Sequence, residues 1–194
     1  PQSVAVAEEI SSASITLLRN KTDRLPLRSR STIHLIVITD GLSMQAGTEL
    51  LAMLRNNNHG VTVSRLWNES TQREIENARR SSRASDNVIV GAFLSVGSWK
   101  GRLGFAKLVL DFIDEIARSS VPVFLVAFGD PYILGKLPTT DVVLATYDGS
   151  LLGERSAAKA LLGLQSITGT LPVTIPGKYR RGEGIQAKAA FRKN

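Results

Sequence analysis

Apolar residues fall along this chain in two alternating rhythms. Ile33 to Thr39, Asn87 to Leu94 and Val121 to Phe128 carry aliphatic or aromatic side chains at nearly every position. Runs this short, closed by turn residues such as Asp40-Gly41, predict strands buried on both faces, as a parallel sheet covered by helices requires. Val142 to Tyr147 predicts a shorter strand, and the alternation of Val61-Thr62-Val63-Ser64-Arg65-Leu66 predicts one nearer an edge. Between these runs the spacing becomes helical. Thr48 to Asn56 brings Leu50, Leu51 and Leu54 together and stops at Asn57, Asn58 and Gly60, which suit a left-handed helix exit. Residues 69 to 83 predict a polar helix with Ile75 and Ala78 facing inward. Phe105 to Arg118 predicts an amphipathic helix through Leu108, Phe112, Ile113 and Ile116, and Glu154 to Leu162 an alanine-rich one. At the front, Val4 to Ile10 predicts a short helix running into the extended Ser14-Ile15-Thr16-Leu17-Leu18, with a break at Arg24-Leu25-Pro26-Leu27. At the back, Leu171 to Ile175 predicts a last extended piece closed by Pro176 and Gly177.

Strands separated by helices need crossover connections, which favour parallel pairing with helices on both sides of one sheet. The predicted class is therefore α/β, a three-layer α/β/α sandwich with a mostly parallel sheet of flavodoxin-like appearance. Residues 1–30 read as an N-terminal connector with a short helix and strand, 31–177 as the sandwich domain, and 178–194 as a basic C-terminal tail. Open sheets of this kind gather ligands at the carboxyl ends of their strands. The segments that matter for chemistry are thus 40–46, 66–70, 95–104 and 129–138.

Composition narrows the function classes. With 43% hydrophobic and 21% charged residues in 194, the chain can bury the core of one compact domain, and no apolar run reaches the roughly 18 to 20 residues of a membrane span. There are no cysteines and only two histidines, His34 and His59. Disulfides, thiolate metal sites, a cysteine nucleophile and a multi-histidine zinc site are thereby excluded. His34 reads as a buried, satisfied core residue and His59 as a turn residue. Position 1 is Pro, and the first residues lack the basic start and apolar stretch of a signal peptide, so the chain reads as processed or excised. The net charge of +7 is local: residues 17–31 hold +4 and residues 178–194 hold +5, leaving the rest slightly acidic. Such runs read as solvated surface rather than as a groove-facing nucleic-acid element.

Loop chemistry is sparse. Asp40-Gly41-Leu42-Ser43-Met44-Gln45-Ala46-Gly47 has neither the three-glycine dinucleotide spacing nor the Gly-Lys-Ser/Thr of a phosphate loop, so no nucleotide cofactor is expected. A flavodoxin-like sensor loses its main support for the same reason. Asp40 and Gly41 are candidates for lining a ligand site. So are Ser95 and Ser98 in the Gly/Ser-rich 95–104 loop, with Trp99 available to stack on a sugar, and Asp130. Ser95 lacks the Gly-x-Ser-x-Gly surroundings of a nucleophile elbow. Asp40, Asp130 and Asp148 do not form an obvious acid and nucleophile pair, and no catalytic residue or metal ligand is assigned.

Three segments together resemble the C-terminal α/β sandwich domain of family 3 glycoside hydrolases. They are Ala13 to Asn20 followed by Leu25-Pro26-Leu27, then Phe128-Gly129-Asp130-Pro131-Tyr132, and finally Gly169 to Pro176 with Gly182-Glu183-Gly184. Their order and spacing agree, and the similarity runs from about residue 7 to 185. The resemblance implies a chain that is inactive alone and packs beside a (β/α)8 barrel carrying the Asp nucleophile. Members of the β-glucosidase type place an acid/base Glu in the loops after the middle strands of this domain. Here the matching stretch, 95–104, has no Glu. That departure implies the β-N-acetylglucosaminidase-like subgroup, whose acid/base is a barrel histidine, and places an N-acetylglucosamine-containing sugar at the domain interface near Asp40 and Trp99. It implies a bacterial cytoplasm or cell envelope as the setting. The reading from a different class is a free-standing module binding anionic partners or sugars through the basic tail.

Overall fold

The computed structural model describes residues 2–57, 60–94 and 104–190. Six strands form one sheet: β1 (Thr16–Asn20), β2 (Thr32–Thr39), β3 (Gly60–Leu66), β4 (Asn87–Leu94), β5 (Val123–Gly129) and β6 (Val142–Thr146). Their spatial order is β1-β6-β5-β4-β2-β3. Neighbours pair in parallel except β1, which runs antiparallel to β6. From β2 on, this is the doubly wound order of an open α/β sheet, so the three-layer, mostly parallel expectation holds. The continuous apolar runs are the inner strands. Every residue of β6 is buried, as is every residue of β2 and β4 after the first, whereas edge strand β3 buries only Val61 and Leu66.

Among the described residues five α-helices cover the sheet: α1 (Gln2–Ser14), α2 (Thr48–Asn56), α3 (Gln72–Arg83), α4 (Lys107–Ala117) and α5 (Leu151–Leu162). On one face, Leu50 and Leu54 of α2 and the alanine side of α5 pack on Val37, Ile89, Val126 and Leu144. On the other, Ile75 and Ala78 of α3 and Val109, Phe112 and Ile116 of α4 pack on Ile36, Val90 and Leu125. Burying each apolar side chain of this size contributes about 1.5–3 kcal/mol, so the two cores dominate stability. Helix α1 lies on α5, where the Ser11 and Ser156 hydroxyls meet at 3.0 Å.

Three local expectations change. Helix α2 does not leave through a left-handed residue at Asn57, whose φ is −99°; its side-chain amide instead donates to the Met53 carbonyl at 2.8 Å. Asn58 and His59 lie outside the described residues. Residues 171–175 form no strand of the sheet, because Pro172 and Pro176 offer no N–H to a ladder. They turn back on the C-terminal segment instead, with Leu171 donating to Glu183 O and accepting from Gly182 N, both at 2.8 Å. That segment covers the open edge of β1 through Ile185 N to Leu17 O at 2.7 Å, while Gly169 N reaches Ile15 O at 3.2 Å. A covered edge strand cannot template pairing with another chain. Glycine permits the approach, since a Cβ on Gly169 would lie 2.5 Å from Ile15 O.

Candidate functional site

The chain leaves β2 toward β3 on one side, and β4 arrives on the other. Their carboxyl ends therefore diverge, and a crevice is left at the position where open α/β sheets bind ligands. A cleft of about 750 Å³ fills it, with walls from the end of β2, the 40–46 loop, the ends of β4 and β5, and the start of α5. Phe93 and Phe128 sit side by side in the β4–β5 register and stack with ring centroids 4.1 Å apart, providing an aromatic wall. Leu42 and Leu151, which line it, are 66% and 55% exposed, so the mouth carries an apolar rim.

The polar wall is built around Glu154. It stands in the first turn of α5, only 1% exposed, and its carboxylate caps α2. Oε1 accepts from Gly47 N at 2.8 Å, while Oε2 accepts from Glu49 N at 2.8 Å and Leu50 N at 3.1 Å. These are the orphan amides that a helix start leaves unpaired, and the positive end of its dipole favours an anion. Burial pushes the Glu154 carboxyl above its usual range, opposed by the three backbone donors and reinforced by the nearby Glu49 charge. Gly47 is required at the cap: its φ is +76°, and a Cβ there would stand 2.6 Å from Val37 Cγ2. Beside it, Arg155 donates to Glu49 at 2.8 Å and Glu8 at 3.0 Å, tying α5 to α2 and α1. The 40–47 loop is fixed further by Ala46 N to Ser43 Oγ at 3.2 Å and by Arg65 donating to Ala46 O.

Of the predicted residues, Asp40 and Gly41 line this cleft. Asp130 stands at the same rim but caps the short 3-10 helix Pro131–Gly135, accepting from Tyr132 N at 2.9 Å, and does not line the cleft. Ser95, Ser98 and Trp99 lie outside the described residues. Asp148 accepts from Ser150 N at 2.8 Å, ahead of α5. Glu154, Phe93, Phe128 and Ser150 are cleft residues that the sequence analysis does not single out. An acidic residue in a first helical turn is the only local signal for Glu154, and it does not name the amides it serves.

His34 lies five residues before the carboxyl end of β2. It is buried, but only half satisfied: Nδ1 is 2.8 Å from Thr62 Oγ1, and Nε2 has no partner. The expected satisfied histidine is thus corrected, because among the described residues no acceptor or donor lies within hydrogen-bond reach of the second nitrogen. Burial lowers its pKa to about 4. Among the described residues no group of His, Asp and Glu is placed to hold a metal ion, and no helix is long and apolar enough to cross a membrane.

Comparison with known proteins places this architecture. The family model described as the glycosyl hydrolase family 3 C-terminal domain matches residues 15–191. A family 3 β-N-acetylglucosaminidase from Paenibacillus sp. str. FPU-7 superposes with a TM-score of 0.75 at 21% identity, over 90% of this chain and 33% of that one. A fungal multi-domain family 3 β-N-acetylglucosaminidase gives 0.73 at 16%, over 93% and 20%. A β-glucosidase from Listeria innocua gives 0.62 at 17%, over 87% and 27%. The chain therefore spans a third or less of these neighbours. The search of curated proteins finds no match.

Proposed function

The chain belongs to the glycosyl hydrolase family 3 C-terminal domain family, and on that premise we propose that it is the non-catalytic sandwich domain of a β-N-acetylglucosaminidase-like enzyme. Its carboxyl rim packs beside a catalytic (β/α)8 barrel and closes one side of a site for an N-acetylglucosamine-containing sugar. Residues 1–30 join barrel to sandwich in this reading. The observation that carries it is the family match over 15–191 on a sheet whose switch-point cleft opens beside an exposed apolar rim. Two of the neighbours are β-N-acetylglucosaminidases by name, which supports the subgroup.

The chemistry of the cleft supports an assisting role. Glycoside hydrolysis needs a nucleophile and an acid/base, usually two carboxyl groups about 5 to 9.5 Å apart across one bond, whereas the subgroup resembled here takes a barrel histidine as its acid/base. Among the described residues two acids line the cleft: Glu154, whose oxygens accept from backbone amides in a buried cap, and Asp40 at the mouth. In this reading Asp40 hydrogen-bonds a sugar hydroxyl and orients it, and the acid/base and the nucleophile both come from the barrel. In the enzyme that joins this domain to its barrel, Asp40→Asn is expected to lower kcat/KM for an aryl N-acetyl-β-glucosaminide about tenfold, mainly through KM, as loss of one charged hydrogen bond would. Arg181→Ala on the C-terminal segment is the control. Equal kinetics for the Asp40 variant and wild type would remove Asp40 from the sugar site.

A further inference from the structure

We propose that the opposite rim of the sheet carries a second binding site, for an oxyanion of the phosphate class. A cleft of about 670 Å³ opens at the amino ends of β2, β4 and β5, between the 22–31 loop and the Asp86, Asn87 and Pro122 side. Arg24, Arg28 and Arg30 line it against two acids, Asp23 and Asp86. Asp86 is already engaged, its Oδ2 accepting from the Thr32 N–H at 2.7 Å and the Thr32 hydroxyl at 2.8 Å. Arg24 Nε is buried and donates to nothing, since Asp141 Oδ1 stands 3.7 Å away and is shared with Lys21 at 3.6 Å. Among the described residues neither Arg28 nor Arg30 has a carboxylate partner.

The Nε side of Arg24 faces Asp141, which does not line the cleft, so an anion there would be met by the terminal N–H groups of the same guanidinium. Guanidinium groups offer planar pairs of N–H donors whose spacing matches two oxygens of a phosphate, and three arginines of one loop line this cleft. The backbone of that loop is itself unusual. Thr22, Asp23 and Arg30 take φ values of +54°, +48° and +60°, a region in which a β-branched residue such as Thr22 is a genuine outlier. Strain of this kind concentrates at ligand clamps, where the surrounding structure holds side chains in a set arrangement. The two clefts lie at opposite ends of the strands, so this inference stands independently of the sugar reading.

The test is a titration of the isotopically labelled chain with inorganic phosphate at low ionic strength, following the arginine Nε–Hε signals by NMR. The expected result is a saturable shift of the Arg24 signal with a Kd of about a few millimolar, in the affinity range of small polar ligands. The pair R28A/R30A should weaken binding at least about tenfold. Both positions are exposed, and the same spectra show whether the variant is folded. R180A/R181A, which removes as much charge from the C-terminal segment, should leave the Kd unchanged. A shift that never saturates, the same shift with chloride, or equal weakening by both pairs would overturn the proposal.

Discussion

A histidine inside a strand covered on both faces must fold uncharged. Among the described residues the buried Nε2 of His34 has no partner, so an imidazolium there would carry an N–H without an acceptor. Its folded pKa of about 4 lies below the ordinary 6.5, so the neutral form is the one the fold favours. The stabilisation is therefore complete above the unfolded value and is lost as pH falls toward the folded one. Between about pH 7.5 and 4.5 this linkage removes roughly 2–3 kcal/mol. His34→Leu keeps the volume and drops the titration, so its urea-unfolding stability is expected to fall that much less than wild type over the same interval. Parallel pH profiles for the two proteins would show that His34 is not the source. The sequence makes the burial of His34 legible, because its neighbours Ile33, Leu35 and Ile36 leave no polar face. Its half-satisfied ring is not legible, since that depends on what α3, α4 and β3 bring to it.

At the scale of elements, the start of α2 depends on a residue 107 positions away. Gly47, the residue at the N-cap, has no side chain to cap with, so Glu154 supplies the acceptors from α5. Glu154→Ala leaves three N–H groups at the helix start unpaired, two of them buried, and is expected to cost about 2–4 kcal/mol in chemical denaturation. Faster hydrogen exchange at Gly47, Glu49 and Leu50 should accompany it, and unchanged protection of those amides would refute the cap. The same contrast explains which elements the sequence discloses. Strands β2, β4, β5 and β6 are legible because burial on both faces writes an unbroken apolar run. Helix ends are set by single hydrogen bonds. The α3 start is fixed by the reciprocal Thr71–Glu74 capping box, inside the broader amphipathic span. Helix α5 begins three residues before the alanine-rich pattern because Ser150 caps Leu152. Residues 171–175 look extended but cannot join a ladder that two prolines interrupt.

For the whole molecule, the rule that open sheets bind at strand carboxyl ends finds Asp40 and Gly41 from sequence alone, since both directly follow the first long apolar run. It does not separate them from Asp130, which stands at the same rim and spends its carboxylate on a turn. Nor does it find the Phe93–Phe128 stack, because two core aromatics become a cleft wall only once β4 and β5 are in register. The basic segments also change meaning in three dimensions: part of 178–190 folds over the β1 edge, and 22–31 frames a cleft at the far rim. In the proposed reading these features belong to a domain that lines a sugar site whose reacting groups lie on the barrel. The most direct test is the initial rate of aryl N-acetyl-β-glucosaminide hydrolysis by this chain alone, beside the same chain joined to its barrel. The account predicts background hydrolysis for the lone domain and turnover for the joined enzyme; sustained turnover by the lone domain would contradict it.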